Sequence, residues 1–176
     1  MTEDELLDLI DSWENLELII ANLEHKPDVF PAVMRVALYS KHPKSWRAVW
    51  IADKYHDNHP EELLPFLDEI ILTLKRESHH GKKRQFLKLI SLNTPGEQHH
   101  PFLMDYCMNA FTDGMEPVGI RVYALQILFN ISEKEPDLKV ELLAVIEHEM
   151  ELHPSPGIRA KGRNLAKRLA KQIVQS

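Results

Sequence analysis

Apolar residues recur along this chain at the spacing of an amphipathic helix. Around residue 120, for example, Ile120, Tyr123, Ala124 and Ile127 are three or four positions apart, which places them on one helix face. The same stripe returns throughout the sequence after Asp28, and no strand pattern exceeds a few residues. The pattern therefore predicts an all-helical protein.

An arginine marks each return of the stripe. Arg47, Arg84, Arg121 and Arg159 are 37, 37 and 38 residues apart. Each lies near the start of a predicted helix, here called an A helix, and a second helix, called B, follows it. A fixed period of this length is typical of helical repeat proteins, in which neighbouring repeats bury each other's apolar faces.

Prolines punctuate the B helices. Pro31, Pro65 and Pro101 occupy one aligned position in three copies, near the start of the helix. Proline is tolerated there because the first N–H groups of a helix have no acceptor within it. If the second B helix begins at Pro60, Pro65 lies just beyond its first turn and is expected to kink it.

The fold class predicted is an all-α superhelix, a short solenoid of about four helix-hairpin repeats with a capping helix. One domain is expected over 1–176: a degenerate acidic first repeat at 1–40, repeats at 43–76, 79–113 and 116–152, and a cap at 155–174. Its helices are expected at 28–40, 43–57, 61–76, 80–92, 98–112, 117–133, 136–151 and 156–174, after short helices that end near Leu23.

Charge is unevenly distributed along the chain. Residues 1–28 hold nine acidic residues against one lysine, whereas residues 157–176 hold six basic residues and no acidic one. Cys107 is the single cysteine, so no intramolecular disulfide can form. The start is acidic rather than basic, and no segment has the roughly 20 apolar residues of a membrane span, so a cytoplasmic location is expected.

These features resemble HEAT-like repeat proteins, particularly the small bacterial proteins that consist of such repeats alone. The resemblance rests on the four spaced arginines, the prolines at helix starts and the paired amphipathic helices, and it covers about 43–174 well. It implies a scaffold that binds another protein along one curved face. The alternative that it implies is a nucleic-acid-binding role related to the HEAT-like DNA alkylation repair glycosylases.

The B helices are expected to line that concave face. Their alignment places several apolar residues in rows with acidic neighbours, which would form a soft strip for a protein partner. The same rows also fit side chains packed between repeats. The candidate partner-binding residues are Met34, Leu38, Asp68, Leu72, Met104, Asp105, Met108 and His148.

Other residues carry weaker functional signals. The four arginines are interpreted as a structural ladder, with a phosphate-binding stripe as the alternative. Trp46 and Trp50, one turn apart, fit either core packing or stacking on a ligand. The basic last helix fits a solvated cap or a surface for an acidic partner. The ten histidines lack the spacing of a metal site, so no metal is expected. No catalytic motif is present, so neither enzyme activity nor a cofactor is expected.

Overall fold

A computed structural model describes all residues, 1–176, and is helical throughout. Its α-helices are α1 (Glu3–Leu9), α2 (Glu14–His25), α3 (Phe30–Tyr39), α4 (Trp46–His56), α5 (Leu67–Leu74), α6 (His80–Ser91), α7 (His100–Thr112), α8 (Val118–Lys134), α9 (Leu138–Leu152) and α10 (Pro156–Gln175). No residue is in a strand, and the all-α prediction is confirmed.

Short 3₁₀ helices precede three of the B helices. They span Pro27–Val29, Pro60–Phe66 and Glu97–His99, directly before α3, α5 and α7. The kink expected at Pro65 takes this form: the chain runs as a 3₁₀ helix through Phe66, and the α-helix begins only at Leu67. Proline lacks the N–H that an α-helical bond needs, which accounts for the delayed start.

Polar side chains cap the starts of the first and the last helix. Thr2 and Glu5 form a reciprocal capping box at the start of α1, where each side chain accepts a hydrogen bond from the other residue's backbone N–H. At the start of α10, the Ser155 hydroxyl accepts from the Ile158 N–H at 3.2 Å, and Pro156 occupies the first helical position.

The chain forms two compact units, residues 1–89 and residues 90–176, and the boundary falls inside α6. In the first unit α3 packs against α1, α4 and α5, and α2 packs against α4. The large buried side chains of its core include Phe30, Met34, Ile51, Ile70 and Phe86. The single 1–176 domain and its repeat boundaries stay a prediction.

In the second unit α7 packs along α8, and α10 packs against both α8 and α9. Phe111, Phe129 and Leu142 are fully or almost fully buried between these helices. The last helix buries an apolar stripe at Ile158, Leu165 and Leu169 and exposes most of its basic residues. This is the amphipathic pattern expected of a terminal repeat with a polar outer face.

Candidate functional site

The helix α7 is the B helix that holds three of the eight predicted partner-binding residues, more than any other helix. Its inner face buries Leu103, Cys107 and Phe111. Met104 and Met108 are half-buried one turn apart, and Asp105 is exposed beside them. The methionines therefore border the solvent-facing side of α7, and their role in partner binding stays a prediction.

A histidine anchors the start of α7. The His100 ring is buried, and its Nδ1 lies 2.9 Å from Oε1 of Glu135, in the turn between α8 and α9. This bond holds the α8–α9 turn beside the first residues of α7. It also brings acidic residues of that turn next to Met104.

Met104 and the α8–α9 turn form a groove of about 400 Å³. Carboxylates dominate its polar lining, from Glu135, Asp137 and Glu141, while Met104 and Leu138 supply apolar surface. Lys139 lies in the same part of the chain but does not line the groove. Its ammonium donates to the Gln172 side chain of α10 at 2.7 Å. The groove is therefore acidic with an apolar floor.

The exposed face of α9 is also a mixture of apolar and polar side chains. Val140 is 65% exposed, and Ala144, Glu147 and His148 are exposed along the same helix. Three of the four site residues predicted in this unit, Met104, Asp105 and Met108, thus lie together on α7, and His148 lies on α9. The sequence interpretation missed Glu135, Asp137 and Glu141, although acidic residues clustered around the start of a predicted helix are a readable signal.

The first unit requires a correction. Met34 is 0% exposed and Leu38 is 4% exposed, so neither can contact a partner. The physical reason is that α3 packs against α1, α4 and α5, with α1 tied to it by the Arg35–Glu3 ion pair at 2.9 Å. Asp68 and Leu72 on α5 are exposed, as predicted for partner-binding residues.

Two of the four arginines form the buried bonds expected of a structural ladder. Arg121 donates to the carbonyls of Phe111 and His153 and to the Glu149 carboxylate, at 2.9, 3.1 and 3.0 Å. Arg47 donates from one nitrogen to the carbonyls of Ile10 and Asp11, at 2.8 and 2.7 Å.

Arg84 and Arg159 are exposed instead, so the ladder interpretation needs correction at these two positions. In α6 the buried cation is Lys82, two residues before Arg84 and on a different side of the helix. Sequence alignment matched arginine with arginine and therefore overlooked the lysine.

The tryptophans pack on one another. Trp13 makes edge-to-face contacts with Trp46 and Trp50, at ring-centroid distances of 5.4 and 5.7 Å, and the Arg47 guanidinium lies 4.7 Å from the Trp13 ring centre. Trp46 and Trp50 are each partly buried, and Trp13 is 50% exposed. The cluster fixes the loop before α2 against α4, which favours the packing interpretation of this aromatic pair.

The basic residues of α10 divide between packing and solvent. The Arg168 guanidinium lies 4.4 Å from the Phe129 ring centre and 3.9 Å from Glu133. Burial, together with the charge of Arg168, lowers the pKa of Lys161. Arg159, Arg163, Lys167 and Lys171 are exposed.

Neither a metal cluster nor a membrane span is found in the structure. No three or more His, Cys, Asp and Glu side chains are grouped so as to hold a metal ion. Some histidines instead pair with single carboxylates, as His59 does with Glu24 and His153 with Glu149, each at 2.7 Å. No helix has the length and apolar character needed to cross a membrane.

Burial makes the single thiol an interior group. Cys107 is 0% exposed on the inner face of α7, and burial raises the pKa of its thiol far above the usual range. A thiol in this state is a packing group rather than a nucleophile.

Comparison with known proteins bears on the class of the whole chain. Searches of curated proteins and of solved structures gave no match. A family model described as a HEAT repeat domain matches residues 4–169, which is most of the chain, and it agrees with the helix pairs and the period seen above. The chain therefore belongs to the HEAT repeat domain family.

Proposed function

We propose that this chain is a non-enzymatic protein-interaction module, and that it binds its partner on the surface formed by α7 and the start of α9. HEAT repeats generally mediate contacts between proteins, which supports the general class. The groove at Met104 supports this particular surface.

The chemistry of the groove favours a basic partner segment with an apolar anchor. Asp137 and Glu141 line the groove beside the half-buried Met104 side chain, and Asp105 is exposed next to Met104 on α7. Methionine is flexible and polarizable, so it adapts to the shape of an inserted side chain. Lysine or arginine residues beside that anchor would complement the carboxylates and speed association at low salt.

The nucleic-acid alternative fits this surface poorly, because carboxylates repel the phosphate backbone that dominates such binding. A group of exposed cations, Arg159, Arg163, Lys167 and Lys171, lies on α10 instead. For the same partner-binding role we propose a cytoplasmic location, where a reduced Cys107 is the ordinary state.

A peptide titration tests the proposal directly. The probes are a fluorescent amphipathic peptide of Lys and Leu, the same pattern with Glu in place of Lys, and a DNA duplex. We expect the basic peptide to bind the full chain, with weaker binding as salt rises. Binding of the duplex but of neither peptide would instead support the nucleic-acid alternative.

Variants locate the binding surface. Glu141→Lys together with Met104→Ala is expected to weaken binding of the basic peptide at least tenfold, because it removes both the charge and the anchor. The matched control is Glu151→Lys, since Glu151 is exposed on the same helix but does not line the groove. Equal loss in both variants would show a general charge effect and would contradict this surface.

A further inference from the structure

A second cavity lies within the first unit, where the α3–α4 turn faces the α5–α6 turn. Its volume is about 480 Å³. Its cationic lining comes from Lys41, Arg76 and Lys82, and its one carboxylate from Glu77. We propose that this cavity binds a phosphate group, carried by a small molecule or present as the free ion, with Lys82 as the central ligand.

The Lys82 ammonium is buried without close partners. Its side chain is 6% exposed, yet its Nζ lies 3.4 Å from the Ser40 carbonyl oxygen and 3.8 Å from the Glu77 carboxylate. Close charge-assisted bonds are about 2.7–2.9 Å, so three N–H donors are left with long contacts only. Burial lowers the pKa of Lys82, and the Glu77 carboxylate opposes that shift only in part.

The nearby carboxylate is engaged elsewhere. Oε1 of Glu77 accepts the backbone N–H of His79 at 3.0 Å, at the start of α6. This bond holds the carboxylate group at the turn, away from close contact with the Lys82 ammonium. An anion entering the cavity would supply the close acceptor that Lys82 lacks.

Two histidines add donors to the same cavity. The Nδ1 of His79 accepts the Lys82 backbone N–H at 3.3 Å, and the Nδ1 of His42 accepts the Lys44 backbone N–H at 3.2 Å. A neutral imidazole that accepts at Nδ1 carries its proton on Nε2, so each ring has an N–H with which it can bind an anion. The ring of His79 fits there because Gly81 has no Cβ, and an added Cβ would lie 3.0 Å from the ring.

The buried lysine near the start of α6 is bonded differently from the buried arginines near the starts of α4 and α8. Arg47 and Arg121 occupy the corresponding starts of α4 and α8, and their guanidinium groups reach backbone carbonyls at 2.7–3.1 Å. At α6 the chain has lysine, whose point-like ammonium makes no such close contact with a carbonyl.

Titration with inorganic phosphate, followed by NMR of the ¹⁵N-labelled full chain at constant ionic strength, tests the proposal. We expect saturable shifts of backbone amides at 40–46 and 77–83. Lys82→Met is expected to weaken binding at least tenfold. Arg84→Met is the matched control, since it removes an exposed cation on the same helix outside the cavity, and it should leave the Kd within about twofold.

Two further arms complete the design. A parallel titration with glycerol 3-phosphate identifies the source of the group: tighter binding of the ester indicates a small phosphate monoester, and tighter binding of phosphate indicates the free ion. Thermal melts of each variant show whether it folds. Comparison of the melting temperatures in phosphate and in chloride separates specific binding from general salt stabilisation, because the general effect acts on every variant alike. Shifts outside the cavity, no saturable binding, or an unchanged Kd in a folded Lys82→Met would overturn the proposal.

Discussion

The buried Arg121 side chain donates three hydrogen bonds. Its guanidinium joins the end of α7, the end of α9 and the buried Glu149 carboxylate. Arg121→Ala leaves Glu149 buried beside only the His153 ring, at 2.7 Å. Removal of one partner from a buried ion pair costs about 3–5 kcal/mol, so we expect a loss of that size in the free energy of unfolding.

Arg159→Ala provides the matched control for this loss. It removes an arginine at the equivalent position of the last repeat, but from an exposed site, where substitutions usually change stability by about 0.5 kcal/mol or less. Chemical denaturation of both variants, followed by circular dichroism, makes the comparison. Similar losses for the two would contradict the structural distinction between them.

The methionines of the B helices separate by burial. Met34→Ala is expected to cost about 2–5 kcal/mol because the side chain is fully buried. Met104→Ala and Met108→Ala are expected to cost about 1 kcal/mol or less, since both side chains are half-buried. Thermal melts of the three variants measure the difference, and a large loss at Met104 and Met108 would place them in the core and weaken the proposed binding surface.

Residue identity alone does not determine which cation is buried. The period of the sequence correctly placed Arg47 and Arg121 near helix starts, where both are buried. It did not reveal that α6 turns Arg84 to solvent and buries Lys82, because a shift of two residues rotates a side chain by about 200° around a helix. The burial of Met34 was likewise hidden, because it depends on how α3 packs against other helices, which the local sequence pattern does not show.

At the scale of elements, α10 lies close to α9 because Gly162 has no side chain. A Cβ at this position would lie 2.8 Å from the sulfur of Met150 and 3.3 Å from Ile146. Gly162→Leu is therefore expected to destabilise the fold by about 1–3 kcal/mol through overpacking, although leucine favours a helix more than glycine does. Thermal denaturation measures the change.

Ala160→Leu is the control for this substitution. Ala160 is exposed on the same helix, so a larger side chain meets solvent and stability should change by about 0.5 kcal/mol or less. If Gly162→Leu proves as harmless as Ala160→Leu, Met150 has moved aside and α10 is less tightly held than the distances indicate.

Helices were the most predictable elements. The expected final helix at 156–174 compares with Pro156–Gln175, and the expected helix at 117–133 compares with Val118–Lys134. The apolar period and the prolines carry that information locally. The 3₁₀ helices before α3, α5 and α7 were not anticipated as such, because a proline near a helix start is compatible with both geometries.

At the scale of the whole molecule, each of the two units contains its own reporter of unfolding: tryptophan in the first and cysteine in the second. All three tryptophans, Trp13, Trp46 and Trp50, lie in residues 1–89, and Cys107 lies in residues 90–176. Tryptophan fluorescence therefore follows the first unit. Alkylation of Cys107 follows the second, because a fully buried thiol with a raised pKa reacts only after the surrounding helices open.

We expect both reporters to change at the same denaturant concentration. The boundary between the units falls within the continuous helix α6, where Leu89 on one side and Ile90 on the other are both buried. Unfolding of either unit removes the packing that stabilises its part of α6, and a short isolated helix is marginal in water. Nearest-neighbour coupling of this kind joins the unfolding of adjacent repeats.

Arg121→Ala turns this expectation into a sharp test. The substitution lies in the second unit, yet coupled unfolding requires it to lower the denaturation midpoint of tryptophan fluorescence as well as that of Cys107 alkylation. Arg159→Ala should move neither midpoint appreciably. If Arg121→Ala exposes Cys107 at lower denaturant while the fluorescence transition stays in place, the two units unfold independently, and α6 does not transmit stability between them.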